Sequence, residues 1–200
     1  MKGVEIKSVS LPEISIREVL RYLGCREENA DIREEIDSCI RETGGAFASR
    51  VVFAELDVKI DGETCDFGSF SICSLALAKN LSGCNRVIVF AATSGTKIDR
   101  LIAKYSRLSP SRSVIFQAIG AERVEALCDA FCDEYEKERG VSLKPRFSPG
   151  YADLKIEHQR DIFKLLDCQK NIGLTLNESL LMSPSKSVTA FAGIIKKEKI

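Results

Sequence analysis

The feature of the sequence that most restricts its fold is the segment RVIVFAA at residues 86–92, which is apolar without interruption after its first residue. Alternation would leave one face of a strand in water, whereas a continuous run of this length predicts a strand that is buried on both faces. The predicted elements follow the order helices, hairpin, helix, strand, helices, strands. Because strands and helices do not alternate strictly, we expect an α+β fold rather than a doubly wound parallel sheet.

Helical periodicity is strong in two regions. Residues 1–45 contain apolar side chains at helical spacing and predict an N-terminal helical segment that closes at Gly44-Gly45. The longest predicted helix begins near Ser111, after a proline suited to a first helical turn, and ends at Arg139 before Gly140. Its predicted buried face comprises Val124, Leu127, Cys128, Phe131, Cys132 and Tyr135. Asp129 lies away from that face.

Two further regions have strand patterns. The segment VVFAELDVKI alternates from residue 51 to residue 60, with Leu56, Val58 and Ile60 on one face and Glu55, Asp57 and Lys59 on the other. Together with Asp61-Gly62 and residues 64–67, it predicts a β-hairpin with one solvated face. The tail, LTLNESLLMSPSKSVTAFAGII, predicts two strands around Ser183-Pro184-Ser185.

Composition and charge narrow the class of protein. Two hundred residues suit a single domain. Lys+Arg and Asp+Glu both number 29, and this balance argues against general affinity for nucleic acid or for an anionic membrane surface. The chain has neither an apolar run long enough to cross a bilayer nor a secretory signal, so we expect a cytoplasmic protein with its eight cysteines reduced. A single histidine and the absence of a Cys-x2-Cys pair argue against a metal site.

The segment RFSPGY, residues 146–151, is the strongest candidate for a binding loop. Pro149-Gly150 has the residues of a type II turn, which would bring Arg146 and Tyr151 to the same side. Arginine can bind a carboxylate through two parallel hydrogen bonds, glycine lets a ligand approach the backbone, and tyrosine offers a ring face. From these residues alone, a loop contact between Arg146 and Tyr151 without any ligand is an equally good interpretation.

These residues carry a resemblance to a known family. RFSPGY, the amphipathic helix after it and the sequence IGLTLNESLLMSPSKSVTAFAGI resemble the C-terminal part of the activation domain of vitamin B12-dependent methionine synthase. In that family an R-x-x-x-G-Y loop precedes a helix and an E-S-x-x-M-x-P-x-x-S-V strand pair. The motifs lie between residues 120 and 195, and LCDAF and VFAATSG extend a looser similarity upstream. The resemblance implies one activation-type domain over residues 1–200, built on an antiparallel twisted sheet flanked by helices.

The resemblance also implies a function. Domains of this family bind S-adenosylmethionine and help to return cob(II)alamin to methylcobalamin, with an electron from flavodoxin or a similar donor. This chain resembles a free-standing member that serves a separate cobalamin-binding methionine synthase chain, which holds the cobalamin. No side chain need act as acid, base or nucleophile, because the domain orients the methyl donor.

The resemblance also implies which residues bind the ligand, by their positions in the family's motifs. Arg146 would bind the ligand's carboxylate, the backbone around Phe147 would bind the adenine or ribose, Gly150 would keep the loop close and Tyr151 would form an aromatic wall. Asp129, in LCDAF, stands where the family usually has a glutamate near the ligand's ammonium group. Two alternatives stay open: a diverged S-adenosylmethionine-binding sensor or carrier, and an activator of another corrinoid protein.

Overall fold

The structure is a computed structural model that describes residues 3–25, 29–44 and 47–196. The helices are α1 (Ile16–Leu23), α2 (Ala30–Thr43), α3 (Leu75–Asn80), α4 (Lys97–Leu108), α5 (Pro110–Arg139), α6 (Gln159–Leu166) and α7 (Cys168–Ile172), with a 3-10 turn at Ile156–His158. The strands are β1 (Glu5–Lys7), β2 (Arg50–Asp57), β3 (Lys59–Asp61), β4 (Thr64–Asp66), β5 (Ser71–Cys73), β6 (Arg86–Thr93), β7 (Val141–Leu143), β8 (Thr175–Leu176), β9 (Met182–Ser183) and β10 (Ser187–Lys196).

A five-stranded sheet forms the centre of the molecule. Its strand order is β1-β2-β6-β10-β7, and every neighbouring pair is antiparallel. The segment that contains this apolar run forms the middle strand, β6, and its side chains are buried on both faces from Val87 to Thr93. The predicted α+β class and the antiparallel sheet flanked by helices are therefore confirmed.

The two faces of this sheet contact different layers. On one face, Val87, Val89 and Ala91 belong to a core cluster that includes residues of α3, α6 and α7. On the other face, Ile88 and Phe90 pack against α5, where the ring of Phe131 lies 5.1 Å from that of Phe90. The predicted buried stripe of α5 is confirmed, since five of its six side chains are buried and Cys132 is half-buried. α5 thus presents one face to the sheet and the other outward.

The N-terminal helices cover the first half of α5. α1, α2, α4 and α5 share a third core cluster, and Gly44 ends α2 with a φ of +59°, as its position in the sequence predicts. Gly45 lies outside the described residues. The segment before α1 is fixed by Arg123 of α5, whose guanidinium donates 2.7 Å to the carbonyl of Pro12 and pairs with the buried Glu122.

The prediction of a hairpin with one solvated face is wrong for its first strand. Glu55 is buried, with only 3% of its surface exposed, because β2 is an inner strand covered on both sides. Its carboxylate pairs with Arg86 on the neighbouring strand and lies 3.8 Å from Arg139. The Asp61-Gly62 hairpin does form, but it joins β3 to β4 in a separate three-stranded sheet.

The tail also differs from its predicted pair of strands. Before Pro184 the tail forms two strands of two residues each, β8 and β9, which pair with each other in a two-stranded ribbon. The strand after Pro184, β10, lies within the central sheet and pairs with β6 on one side and β7 on the other. None of the helices in the described ranges has the length and apolar character that a bilayer span requires.

Candidate functional site

The RFSPGY loop is fixed to the central sheet at its start. Phe147 forms a two-way antiparallel bridge with Phe191 of β10, with both N···O distances at 2.9 Å. Just before it, the amide of Asn80 donates 3.1 Å to the carbonyl of Pro145. Both backbone groups of Phe147 are already paired. A backbone contact to a ligand near Phe147 would therefore have to come from Arg146 or Ser148.

The Pro149-Gly150 step forms the expected turn. The amide of Tyr151 donates 3.2 Å to the carbonyl of Ser148, and Gly150 has a φ of +89°, as the third residue of a type II turn requires. A side chain at Gly150 would also meet Ile156 at 3.1 Å. Turn geometry and packing therefore both favour glycine at this position.

Asp153 fixes the far end of the loop. Its carboxylate accepts hydrogen bonds from the Ser74 hydroxyl at 2.6 Å and from the amides of Leu75 and Ala76 at 2.7 and 3.2 Å. The Ser74 hydrogen bond is the main reason that the pKa of Asp153 lies below its ordinary value. The loop is thus tied to β10 at one end and to the start of α3 at the other.

Arg146 points from this loop onto α5. Its Nη2 donates to Glu125 Oε2 at 2.8 Å, and its Nη1 lies 2.7 Å from Asp129 Oδ1. The Arg146 side chain is 23% exposed, whereas those of Glu125 and Asp129 are 44% and 70% exposed. Burial acts to lower the pKa of Arg146, but the neighbouring Cys128 thiol and the carboxylates of α5 outweigh it and raise that pKa. The guanidinium is therefore a fixed cation.

The rings of Tyr151 and Phe147 contact each other. Their rings are 5.5 Å apart and nearly perpendicular, at 86°. Phe147 is buried, while Tyr151 is 68% exposed. Tyr151 thus contacts Phe147, while Arg146 contacts α5. A ligand-free contact between Arg146 and Tyr151, one of the two interpretations of the sequence, is not among the ring contacts of the described residues.

A groove of about 540 Å³ lies between α1 and α5, next to the Arg146 pairs. Glu125 and Asp129 line it, together with Glu13 from the segment before α1. In all, six acidic side chains and one basic side chain line the groove: Glu13, Glu18, Glu122, Glu125, Asp129, Asp133 and Arg21. Such a surface favours a ligand with net positive charge.

The structure therefore joins two of the five predicted site residues directly. Arg146 and Asp129 form an ion pair, and Asp129 points outward, as its place on the helix predicts. Phe147, Gly150 and Tyr151 shape the adjoining loop but do not line the groove. Sequence reasoning missed Glu125, although its spacing of four residues from Asp129 places both on one face of a helix. It also missed Glu13, which no local pattern marks.

The cysteines nearest this site are core residues. Cys128 is fully buried and Cys132 half-buried behind Arg146, and burial raises the pKa of both thiols, that of Cys132 to about 11. All eight cysteines are free. Across residues 3–25, 29–44 and 47–196, no group of three or more His, Cys, Asp or Glu side chains is arranged to hold a metal ion.

Comparison with known proteins identifies the family. The chain resembles the solved structure of the MetH reactivation domain bound to AdoHcy, with a TM-score of 0.66 and 14% sequence identity over 99% of this chain and 80% of that one. At this identity the likeness establishes the fold alone. A comparison with curated protein sequences found no match. The model of the vitamin B12-dependent methionine synthase activation domain matches residues 76–197, which is more than half of the sequence. The chain therefore belongs to the family of the vitamin B12-dependent methionine synthase activation domain.

Proposed function

We propose that this chain binds S-adenosylmethionine and presents its methyl group for the reductive methylation of cob(II)alamin on a partner protein. The observation that carries the proposal is the Arg146 cation, held beside Asp129 at the edge of an acidic groove. Family membership and the fold shared with a reactivation domain that was solved with AdoHcy support this class of ligand.

The charges of the ligand match those of the site. S-adenosylmethionine carries a carboxylate, an ammonium group and a sulfonium, so that positive charge predominates. In our proposal the carboxylate binds Arg146 and the ammonium group binds Asp129, whose carboxylate is 70% exposed and accessible. The sulfonium lies in the acidic groove, where the surrounding carboxylates favour it. At about 540 Å³, the groove is within the range of small-molecule sites.

The RFSPGY loop would hold the nucleoside. Tyr151 has the exposed ring that a flat adenine or the rim of the ribose can contact. The backbone next to Phe147 offers polar groups, and Gly150 forms the turn that keeps the loop close. The fixed ends of the loop support this role, since a loop that is already ordered loses little conformational entropy on binding.

The role of the chain in methyl transfer is orientation. Partners supply the rest: an electron from flavodoxin or a similar donor reduces Co(II) to Co(I), the methyl carbon passes from sulfur to cobalt, and the donor leaves as the neutral thioether. Holding the methyl donor over the partner's corrin makes the transfer effectively unimolecular. We propose that the chain does this in trans, on a separate cobalamin-binding methionine synthase chain.

A reconstitution assay tests the proposal. Methyl-labelled S-adenosylmethionine, a reductant and a methionine synthase that lacks its activation module and carries cob(II)alamin are mixed with this chain. The expected product is labelled methylcobalamin, formed only when the chain is present. Arg146→Ala should lower the yield at limiting ligand, whereas Arg107→Ala, on the exposed end of α4, should not.

The alternatives predict different results. Binding of S-adenosylmethionine without transfer to any corrinoid protein would favour a sensor or carrier. Transfer only to a corrinoid protein other than methionine synthase would favour an activator of that protein. If the chain does not bind the ligand, both the proposal and the sensor reading fail.

A further inference from the structure

The two terminal nitrogens of Arg146 are in different states. Nη2 makes a well-aligned hydrogen bond to Glu125 at 2.8 Å. Nη1 is 2.7 Å from Asp129 Oδ1 but outside hydrogen-bond geometry, and it is buried without a hydrogen-bond partner in the described part of the chain. Nη2 is thus hydrogen-bonded to α5, while Nη1 has N–H groups that lack an acceptor.

This asymmetry separates the roles of the two carboxylates. Glu125 and Asp129 lie one turn apart on α5, so that the planar guanidinium spans both of them. The Glu125 side chain is 44% exposed and its bond is aligned, whereas Asp129 is 70% exposed and paired only by distance. An exposed and misaligned ion pair contributes little and is readily exchanged. Asp129 is therefore the partner that a ligand can replace, and Glu125 is the one that stays.

We propose that Glu125 is a positioning residue, which holds Nη2 so that Nη1 is presented to the carboxylate of an amino-acid ligand. The inference rests on the proposed function, because the ligand must carry that carboxylate. On binding, the Arg146–Asp129 pair is exchanged for two pairs with the ligand: its carboxylate with Nη1 and its ammonium group with Asp129. A ligand with both groups leaves no charge of this cluster unpaired.

The opposite role for Glu125, competition with the ligand for Arg146, predicts the opposite sign. If Glu125 competes with the ligand, removing Glu125 should tighten ligand binding. If Glu125 positions Arg146, removing Glu125 frees the guanidinium and should weaken ligand binding. The direction of the change in affinity therefore decides between the two roles.

Calorimetry with AdoHcy provides the test. Glu125→Ala should weaken binding about tenfold, which is the size expected when a charge-assisted contact loses its orientation. Glu125→Gln should stay within about threefold of the native protein, because its amide oxygen still accepts from Nη2. Both variants remove the same negative charge, so the difference between them isolates positioning from the general field of the groove. Unchanged or tighter binding by Glu125→Ala, or equal losses in both variants, would overturn the inference.

Two controls exclude a general structural effect. The probe 5′-methylthioadenosine lacks the amino-acid group, and both variants should bind it as the native protein does. Glu138→Ala removes another exposed carboxylate of α5, one that pairs with Lys7 at 2.6 Å, and should leave AdoHcy binding unchanged. An equal loss for 5′-methylthioadenosine in Glu125→Ala would contradict a positioning role.

A measurement without ligand separates this inference from the proposed function. Nitrogen NMR of the Arg146 guanidinium should show restricted rotation in the native protein and in Glu125→Gln, and free rotation in Glu125→Ala. Free rotation in the native protein overturns the inference even if AdoHcy binds. Restricted rotation in a protein that does not bind AdoHcy leaves Glu125 as the anchor of Arg146 and overturns the proposed function alone.

Discussion

Replacing Arg146 by alanine tests the proposed ligand contact directly. The sequence predicts a carboxylate held by two parallel hydrogen bonds, but Glu125 occupies Nη2, so the structure leaves one charge-assisted bond through Nη1. Such a bond contributes about 1.5–3 kcal/mol. The ligand must first break the exposed ion pair between Arg146 and Asp129, and this cost offsets about 0–1 kcal/mol of the contribution. We therefore expect Arg146→Ala to weaken AdoHcy binding by about 0.5–3 kcal/mol, or roughly 2- to 150-fold.

Titration calorimetry with AdoHcy measures this loss. Arg146→Lys keeps the charge but loses the planar fork, so it should show a smaller loss. Arg107→Ala serves as the matched control, because it removes an exposed arginine from α4 and should bind as the native protein does. Thermal unfolding of each variant verifies that the fold is retained. Native affinity in a folded Arg146→Ala protein would show that this residue does not contact the ligand.

Three further predictions concern stability and are measured by denaturant unfolding. Hydrogen bonds from Lys104 and other neighbouring side chains lower the pKa of Glu42 from 4.5 to about 2. Glu42→Gln should therefore lower the free energy of unfolding by about 1–2 kcal/mol near neutral pH. That difference should disappear as the pH falls from 4.5 towards 2, and a difference that persists in acid would contradict the assignment. Gly193→Ala should cost about 1–3 kcal/mol, because the added Cβ would lie 2.6 Å from Cys84 Sγ, and native stability would show that this contact relaxes. Arg123→Met should cost about 3–5 kcal/mol by leaving Glu122 buried without its charged partner, and a loss below about 1 kcal/mol would show that water reaches that carboxylate.

Elements with strong local signals could be predicted from the sequence. α5 begins at Pro110 and ends before Gly140, where φ is +62°, because proline suits a first turn and glycine accepts the left-handed cap. The continuous apolar run predicted a strand buried on both faces. The edge strands β1 and β7 could not be predicted, because three residues are too few to show a period.

Glu55 shows why alternation alone was misleading. The charge at this position indicates a solvated face, but the carboxylate is buried against Arg86 of the next strand and near Arg139. A buried charge is tolerated only when such partners are present. Their positions depend on strand pairing and on the end of α5, which no local pattern contains.

The sequence predicted the turn at the candidate site but not the contacts of the side chains there. Pro149-Gly150 carries its conformation locally, and the turn is confirmed. The direction of Arg146 depends on how the loop lies against α5, so its pairing with Glu125 could not be read from the spacing of residues in RFSPGY. The ligand-binding roles assigned to the five predicted residues stay predictions.

A structure of the protein crystallised with S-adenosylmethionine would show whether the ligand occupies the groove beside Arg146. We expect the methionine carboxylate within hydrogen-bond distance of Arg146 Nη1, the ammonium group on Asp129 and the sulfonium in the groove between α1 and α5. A ligand bound at another surface, or an empty groove with the Arg146–Asp129 pair intact at saturating ligand, would contradict this expectation.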